Sequence, residues 1–373
     1  MSFVSALRPG VSWAKRTGTI TEVTLILPTL PSFDLPPGPR ITDPLPSDRP
    51  VRWGILATGK IARSFAQDLA LLPDAQIAAV GSRRLASAEE FANEYDVAAA
   101  YGSYEELVAD PTVDVVYVAT PHALHKQHVL MAFDAGKPVL CEKALTLNAR
   151  DAEELVSVAR EKQLFFMEAM WMRCNPVIRR LQQLSAGGHL GQIQQVRADL
   201  GSFVDLPSTD RMLAPELGGG ALLDMGVYAL TFAHLFLGEP DRAEAVATLA
   251  PSGIDLNISL SLGYGSGAVA SLSSTLTALS PRTASIATER GRIDLAEPFH
   301  QPTSATWVSD GAAQVITENV IGSGLAHEAL EVIRCLRNGE TESPLVPLDE
   351  TVAVMALMDR IRQKIGLRYP VND

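Results

Sequence analysis

From Val51 onward the chain alternates short apolar runs with amphipathic stretches: VRWGIL, IARSFAQDLALL, QIAAV, SAEEFANEY, VDVVYVAT and PVLCE follow one another. Strand and helix repeated in this way predict a parallel sheet with helices on both faces, a doubly wound α/β domain. A further helix-like stretch, ARDAEELVSVAREK, and a further apolar strand, LFFMEA, extend that sheet to about Trp171.

The texture changes on either side of this block. Residues 1–49 carry many prolines, among them Pro28, Pro31, Pro36, Pro37, Pro39, Pro44 and Pro46, and keep no helical or strand period, so an extended or disordered tail is expected. Arg8, Lys15 and Arg16 precede any acid, but no apolar core with a small-residue cleavage site follows, which argues against a secretory signal. Beyond Trp171, runs such as IQQVRADLG, NISLSLGYG and GAVASLSSTL alternate between Gly and Ser turns and predict a largely antiparallel second sheet. PLDETVAVMALMDRIRQKIG places apolar residues at helical spacing behind Pro347 and Asp349 and predicts a closing helix. The expected division is 50–171, 172–346, and 347–373 for the last helix and tail.

Length and charge narrow the function. A chain of 373 residues with 47% hydrophobic and 20% charged residues can build two cores. A formal net charge of -12 argues against nucleic acid, which needs a basic surface to neutralise phosphates. Cys141, Cys174 and Cys335 are far apart and lack metal or redox-pair spacing, which fits a reducing cytoplasm. Charge, Gly or Pro interrupts every apolar run before membrane-spanning length, so no membrane partner is expected.

Several segments fall where chemistry is expected. GILATGKIA lies at the first strand-to-helix turn, where backbone amides and the positive helix end can hold a pyrophosphate. Its fingerprint positions read Ala57, Gly59 and Ala62, with Thr58, Lys60 and Ile61 between them, so the first glycine is replaced. The second strand ends in GSRR, where an acid would bind a free ribose 2'-hydroxyl. Ser82, Arg83 and Arg84 suit a 2'-phosphate instead, so NADP is expected over NAD.

ATPHALHKQH follows the fourth predicted strand at the ligand-binding edge and offers Thr120, Pro121, His122 and His125 to the cofactor. His122, His125 and His128 are three apart and fan out partly on a helix, with no nearby acid or thiol to close a metal shell. They are read as loop and helix-surface histidines near the nicotinamide, with no metal. CEKA puts Glu142 and Lys143 at the end of the fifth strand, where an ammonium can polarise a substrate oxygen; a surface Lys143 paired to Glu142 is the plainer alternative. In ELGGGALLDMGVYAL, Asp224 and Tyr228 are spaced i, i+4 and share a face of a predicted helix. A nearby Lys143 ammonium would favour the phenolate and lower the Tyr228 pKa, whereas a half-buried tyrosine satisfied by backbone is the structural alternative.

Together, GILATGKIA, GSRR, ATPHALH, CEKA, EAMWMR and GGGALLDMGVY resemble the glucose-fructose oxidoreductase and inositol dehydrogenase family over roughly Val51 to Pro370. The closing region GLAHEALEVIRCLRNGETESPLVPLDETVAVMALMDRIRQKIGLRYP is similar to the branch holding dimeric dihydrodiol dehydrogenase and NADP-dependent xylose dehydrogenases. The resemblance implies an N-terminal Rossmann domain and a C-terminal α+β domain with a large open, mostly antiparallel sheet, often a homodimer face, with the active site between them. It maps the family's catalytic lysine onto Lys143, with Ala144 where proline is usual. It also assigns Tyr228, rather than the histidine of the inositol branch, as acid/base, and places Trp171 and Arg173 at the domain junction beside substrate.

The resulting expectation is an NADP(H)-dependent oxidoreductase acting on a hydroxyl or carbonyl carbon of a sugar, cyclic polyol or trans-dihydrodiol. Tyr228 would exchange the proton, Lys143 would assist and Asp224 would orient. Two other readings stand beside it: an NAD-linked inositol-type dehydrogenase and a non-catalytic NADP-binding regulator. The stretch from Phe203 to Glu216 shows no recognition pattern that names the substrate.

Overall fold

The computed structural model describes residues 44–205 and 210–370. The expected N-terminal tail therefore lies outside the described residues as far as position 43. Residues 44–50 form no helix or strand, and the Leu45 amide donates to the Leu336 carbonyl at 3.0 Å.

Strands β1 (Val51–Leu56), β2 (Ala75–Gly81), β3 (Ala99–Tyr101), β4 (Val115–Val118), β5 (Val139–Glu142) and β6 (Phe166–Ala169) form a parallel sheet in the order β3-β2-β1-β4-β5-β6. Helices α1 (Lys60–Leu69), α2 (Leu85–Tyr95), α3 (Tyr104–Ala109), α4 (His122–Asp134) and α5 (Ala149–Lys162) lie between consecutive strands. Helical cover explains why β4, β5 and β6 are apolar and buried at nearly every position instead of alternating. The strand order runs one way from β1 to β3 and the other way from β4 to β6, and at such a switch point a crevice opens beyond the carboxyl ends of the strands.

A 3-10 turn, Trp171–Cys174, and α6 (Pro176–Ala186) lead out of this sheet. Asn175 starts α6 by accepting the Val177 and Ile178 amides at 2.9 and 3.3 Å. The second sheet comprises β7 (Ile193–Gly201), β8 (Arg242–Leu249), β9 (Asp255–Gly263), β10 (Val269–Thr275), β11 (Ala284–Thr288), β12 (Arg292–Leu295), β13 (Ser304–Ser309) and β14 (Ala312–Thr317). Its order is β14-β13-β12-β11-β7-β10-β9-β8, antiparallel except where β10 runs parallel to β7. Helix α7 (Val227–Leu237) packs on β7 and β10, and among the described residues no helix covers the opposite face of the sheet. Inward Val196, Ala198, Leu272 and Ile286 are buried, while Arg197 and Ser271 point out, the period of two that the sequence shows.

Pro215–Leu237 is long and apolar enough to match a membrane span by composition, although Gly218, Gly219, Gly220, Asp224 and Gly226 interrupt it as expected. It is mostly buried inside the molecule, as the core layer under the large sheet, and it is broken into a 3-10 turn, a π-turn and α7.

After β14 the chain returns to the first sheet. Helix α8 (Ala326–Arg337) packs on α1, and α9 (Leu348–Ile365), the predicted closing helix, packs on α5, β6 and β8. The Asp68 carboxylate near the end of α1 accepts from the Ser323 and Ala326 amides at 3.0 and 2.9 Å, so α8 starts on an acid supplied by α1. Phe166 of β6 also donates to the Thr341 carbonyl at 3.0 Å.

Candidate active site

The turn after β1 is built for a close approach. Ala57 adopts φ 96°, the region that favours glycine, and its amide donates to the Gly81 carbonyl at 3.0 Å. The missing first glycine therefore leaves the glycine-type path of the backbone in place. Gly59 caps α1 with no side chain over the helix end, a Cβ there would meet nothing within 4 Å, and the first turn of α1 holds no acid. Thr58 and Ile61 are half-buried, Lys60 is exposed, and buried Ala62 packs the helix on the sheet. At the end of β2, Ser82 is buried while Arg83 and Arg84 are exposed with no carboxylate at this turn. An open, positive helix end with two exposed guanidinium groups one strand away, Arg83 hydrogen-bonded to Tyr104, fits a dinucleotide bearing a 2'-phosphate.

The histidines of α4 depart from expectation. His122, His125 and His128 are all buried, at 4%, 0% and 5% exposure, not on the helix surface. The side of α4 that carries the histidines faces inward, where α5, the Pro215–Leu217 turn and the residues after β5 cover it, while Gln127 and Asp134 hold the wet side. His125 Nε2 lies 2.7 Å from the Thr120 carbonyl, and its Nδ1 lies 3.1 Å from the carbonyls of both Ala144 and Leu145. Acceptors on both sides suit a protonated ring, but burial outweighs them and pushes the pKa down to about 3. His122 bridges the domains, with Nδ1 2.9 Å from the Gly218 carbonyl and Nε2 3.1 Å from that of Lys143; burial holds it at about 4. His128 pairs with the Thr120 hydroxyl at 3.0 Å, and Pro121 precedes the first turn of α4. Among the described residues no group of three or more His, Cys, Asp or Glu side chains is arranged to hold a metal ion.

At the end of β5 the two neighbours point to different partners. Glu142 accepts from the Tyr117 hydroxyl at 2.5 Å and from the Lys143 amide at 3.2 Å, and burial raises its pKa. Its carboxylate thus makes no ion pair with the Lys143 amine. That amine donates to the Asp224 carbonyl at 2.9 Å, lies 3.9 Å from Asp224 Oδ1, and sits 4.8 Å from the centroid of the Tyr228 ring.

Asp224 occupies a π-turn, Leu222–Gly226, and Tyr228 the first turn of α7, so the two do not stack on one regular α-helical face as expected. They are nevertheless both brought to Lys143. Burial opposes ionisation of Asp224, but Lys143, Arg211 and His122 outweigh it and hold its pKa below the usual carboxylate value. Arg211 Nη1 reaches the Asp224 carboxylate at 3.1 Å. The π-turn is anchored by Asp255, whose Oδ2 accepts the Leu222 amide at 2.7 Å; Gly220, at φ 126°, lets this carboxyl approach, since a Cβ would fall 2.2 Å from its Oδ1.

Tyr228 is buried, and its hydroxyl accepts the Trp171 indole N–H at 2.6 Å. The expectation that Lys143 lowers its pKa is overturned: burial, with the Glu142 charge next, raises it well above the ordinary phenol value. The ammonium lies over the ring, 4.8 Å from its centroid, and the charge it places there does not offset the burial of the phenol. Arg173, expected beside substrate, turns away: its guanidinium donates to the Leu345 carbonyl at 2.7 Å and to Glu350 at 2.5 Å. His300 instead joins the cluster, 4.7 Å from the Tyr228 ring and 5.6 Å from that of Trp171. Neither Arg211 nor His300 was readable beforehand, since both sit in segments with no period or motif. Residues 206–209 of the same Phe203 to Glu216 stretch lie outside the described residues.

A six-stranded Rossmann sheet whose β5 edge presents a lysine to an acid and a tyrosine on a second, open-sheet domain defines a two-domain dinucleotide-dependent oxidoreductase. Residues 51–170 match the family described as "Oxidoreductase family, NAD-binding Rossmann fold", and residues 178–294 match the "GFO/IDH/MocA C-terminal domain". The chain belongs to the GFO/IDH/MocA oxidoreductase family. It is 36% identical to trans-1,2-dihydrobenzene-1,2-diol dehydrogenase of Bos taurus over 334 residues, covering 86% of this chain and 98% of that one. The enzyme of the same name from Xenopus tropicalis is 38% identical over 331 residues, covering 86% and 99%. A solved 3-ketoreductase from Actinomadura kijaniata, in complex with NADP and TDP-benzene, superposes with TM-score 0.76 at 26% identity, covering 85% of this chain and 98% of that one. An aldose-aldose oxidoreductase from Caulobacter crescentus shares the fold, with TM-score 0.78 at 22% identity over 85% and 98% of the two chains.

Proposed function

We propose that the chain is an NADP(H)-dependent oxidoreductase acting on a CH–OH or C=O carbon of a trans-dihydrodiol, a cyclic polyol or a sugar. In this reading residues 50–171 bind nucleotide, 172–346 form the substrate and dimer domain, and 347–373 close the chain. The observation that carries it is the meeting of Lys143, Asp224 and Tyr228 at the carboxyl end of β5. The curated relatives' names, the NADP in the solved 3-ketoreductase and the exposed Arg83 and Arg84 support the nucleotide and substrate class.

NADP supplies or takes a hydride at C4 of its nicotinamide. The protein's part is to manage the oxygen. Because the Tyr228 hydroxyl already accepts from Trp171, its own hydrogen is free to point at a substrate oxygen. As a neutral phenol it acts as the acid that protonates the oxygen when a carbonyl is reduced, and its conjugate base takes that proton back when an alcohol is oxidised. Lys143, fixed by the Asp224 carbonyl, offers its remaining N–H groups to the same oxygen and stabilises charge there. Asp224, itself held by Arg211, balances that ammonium, and Trp171 supplies an apolar wall.

Lys143→Met keeps the length of the stem and removes the charge. Turnover is expected to fall roughly 10²- to 10⁴-fold, with NADPH binding by nucleotide fluorescence retained; a normal rate would remove Lys143 from the chemistry, whereas a wild-type chain that binds NADPH and turns over no diol, polyol or sugar would make a nucleotide-binding regulator the better reading. Titration with both nucleotides separates NADP from NAD.

A further inference from the structure

His300 lies in none of the motifs that carry the reaction, yet its ring completes the aromatic wall. It is edge-on to Trp171 at 90° and tilted 43° to Tyr228. The loop that presents it is pinned from several directions. The Phe299 amide donates to the Arg282 carbonyl at 2.9 Å, the Gln301 amide to Pro298 at 3.0 Å, and buried Asn175 Nδ2 to the Pro302 carbonyl at 3.1 Å. Phe299 itself is fully buried, edge-on to Phe232 at 5.5 Å. Backbone contacts and packing thus hold the imidazole; its Nδ1 is buried without a hydrogen-bond partner among the described residues. Burial, with Lys143 next, pushes the ring pKa down to about 3, so the ring is neutral at physiological pH. A neutral imidazole carries one N–H and one lone pair. With Nδ1 shut off and the residue partly exposed, a polar contact with a bound molecule falls to Nε2.

We propose that His300 is a specificity-determining residue whose Nε2 hydrogen-bonds the second oxygen of a substrate bearing oxygens on adjacent carbons, while Tyr228 and Lys143 hold the first. This rests on the hydride-transfer reading above and names the substrate feature that the site selects. The ring-to-ring distance of 4.7 Å puts His300 beside the Tyr228 hydroxyl's working space, where the neighbouring hydroxyl of a vicinal diol or ring sugar would lie. An alcohol with one oxygen strips water from His300 and offers no replacement, and a site built around a hydrogen bond rejects the analogue that lacks it.

The test compares the full chain with His300→Phe, which keeps an aromatic ring of similar volume, and His300→Gln, which restores a polar reach. Each is assayed with NADP on trans-1,2-dihydrobenzene-1,2-diol against cyclohex-2-en-1-ol, and on D-xylose against tetrahydropyran-2-ol. The readout is the ratio of kcat/KM within each pair, which general loss of packing lowers on both sides and leaves unchanged. We expect His300→Phe to lower the vicinal-to-single ratio about 10- to 100-fold and His300→Gln to recover part of it. An unchanged ratio in both variants overturns the inference while leaving the hydride-transfer reading intact. A wild-type protein that turns over none of the four overturns that reading and the inference with it.

Discussion

Lys143 and Tyr228 meet as cation and ring face, with the amine 4.8 Å from the ring centroid and the phenol oxygen given to Trp171. Sequence spacing showed that the two could share a pocket but neither which part of the tyrosine the ammonium would touch nor the burial that, ahead of any charge, keeps the phenol protonated. A phenol held neutral is ready to donate and slow to accept. Reduction should therefore be nearly flat across neutral pH, while kcat/KM for oxidation should keep rising through about pH 9, as the phenolate fraction grows. Stopped-flow rates of nicotinamide absorbance in both directions check this, and an oxidation profile that levels off near neutral pH would contradict the neutral phenol. Nucleotide choice is also decided by single residues. The replacement Arg84→Ser with Arg83→Ser should weaken NADP binding roughly 10- to 100-fold by removing charge-assisted hydrogen bonds to the 2'-phosphate, with NAD affinity nearly unmoved. Equal weakening of both nucleotides would show that the two arginines do not read that phosphate.

The elements around the site show what a pattern of residues can and cannot convey. The strand-to-helix turn at Ala57 was legible despite its missing glycine, because position in the βαβ unit carried the signal and the backbone still takes the glycine-type φ. The burial of the α4 histidines was not legible: three histidines in a row of helical turns suggest a wet face, and only the approach of the Gly218, Ala144 and Leu145 carbonyls to His122 and His125 makes that face an interior one. The π-turn at Leu222–Gly226 was equally hidden, since it depends on Asp255, some thirty residues away, capping Leu222. Burial raises the Asp255 pKa to about 6, against 3.8 in an open chain. A carboxyl with a raised folded pKa favours the folded state in its protonated form. That advantage is complete below about pH 4, is lost as pH rises through 6, and leaves an ionised, buried group that costs up to about 3 kcal/mol at neutral pH. Asp255→Asn keeps a carbonyl oxygen for the Leu222 amide and cannot ionise, although its buried NH₂ must find a partner. A net gain of about 1–2 kcal/mol is expected at pH 8 and little or none at pH 4, measured by denaturant unfolding at the two pH values. A gain that is equal at both would dissociate the effect from ionisation.

At the scale of the molecule, the first sheet carries Lys143, the π-turn and α7 under the second sheet carry Asp224 and Tyr228, and the last two helices fold back to hold the two together. Continuous apolar runs announced the first sheet and alternating ones the second, whereas the parallel pairing of β7 with β10 could not be read, because an alternating strand has the same period in either direction. The large sheet presents α7 and the site on one face, and among the described residues no helix covers the other, where Val246, Val269 and Val315 are exposed at 77%, 44% and 60% among Ser, Thr and Arg side chains. A second copy of the chain is the occupant we propose for that face. A two-fold axis across it would bring β7 and β10 of one protomer onto the same strands of its partner and leave both clefts open, since the clefts lie behind the sheet. Ser271 sits mid-strand on β10, faces outward and pairs with Arg197 of β7, so Ser271→Arg would set like charges against each other near the axis. Light scattering on the eluting protein should give twice the 40.0 kDa chain mass for wild type and a shift toward the single chain for Ser271→Arg, with an unchanged circular dichroism spectrum. A wild-type protein that stays monomeric at micromolar concentration would leave the open face to water.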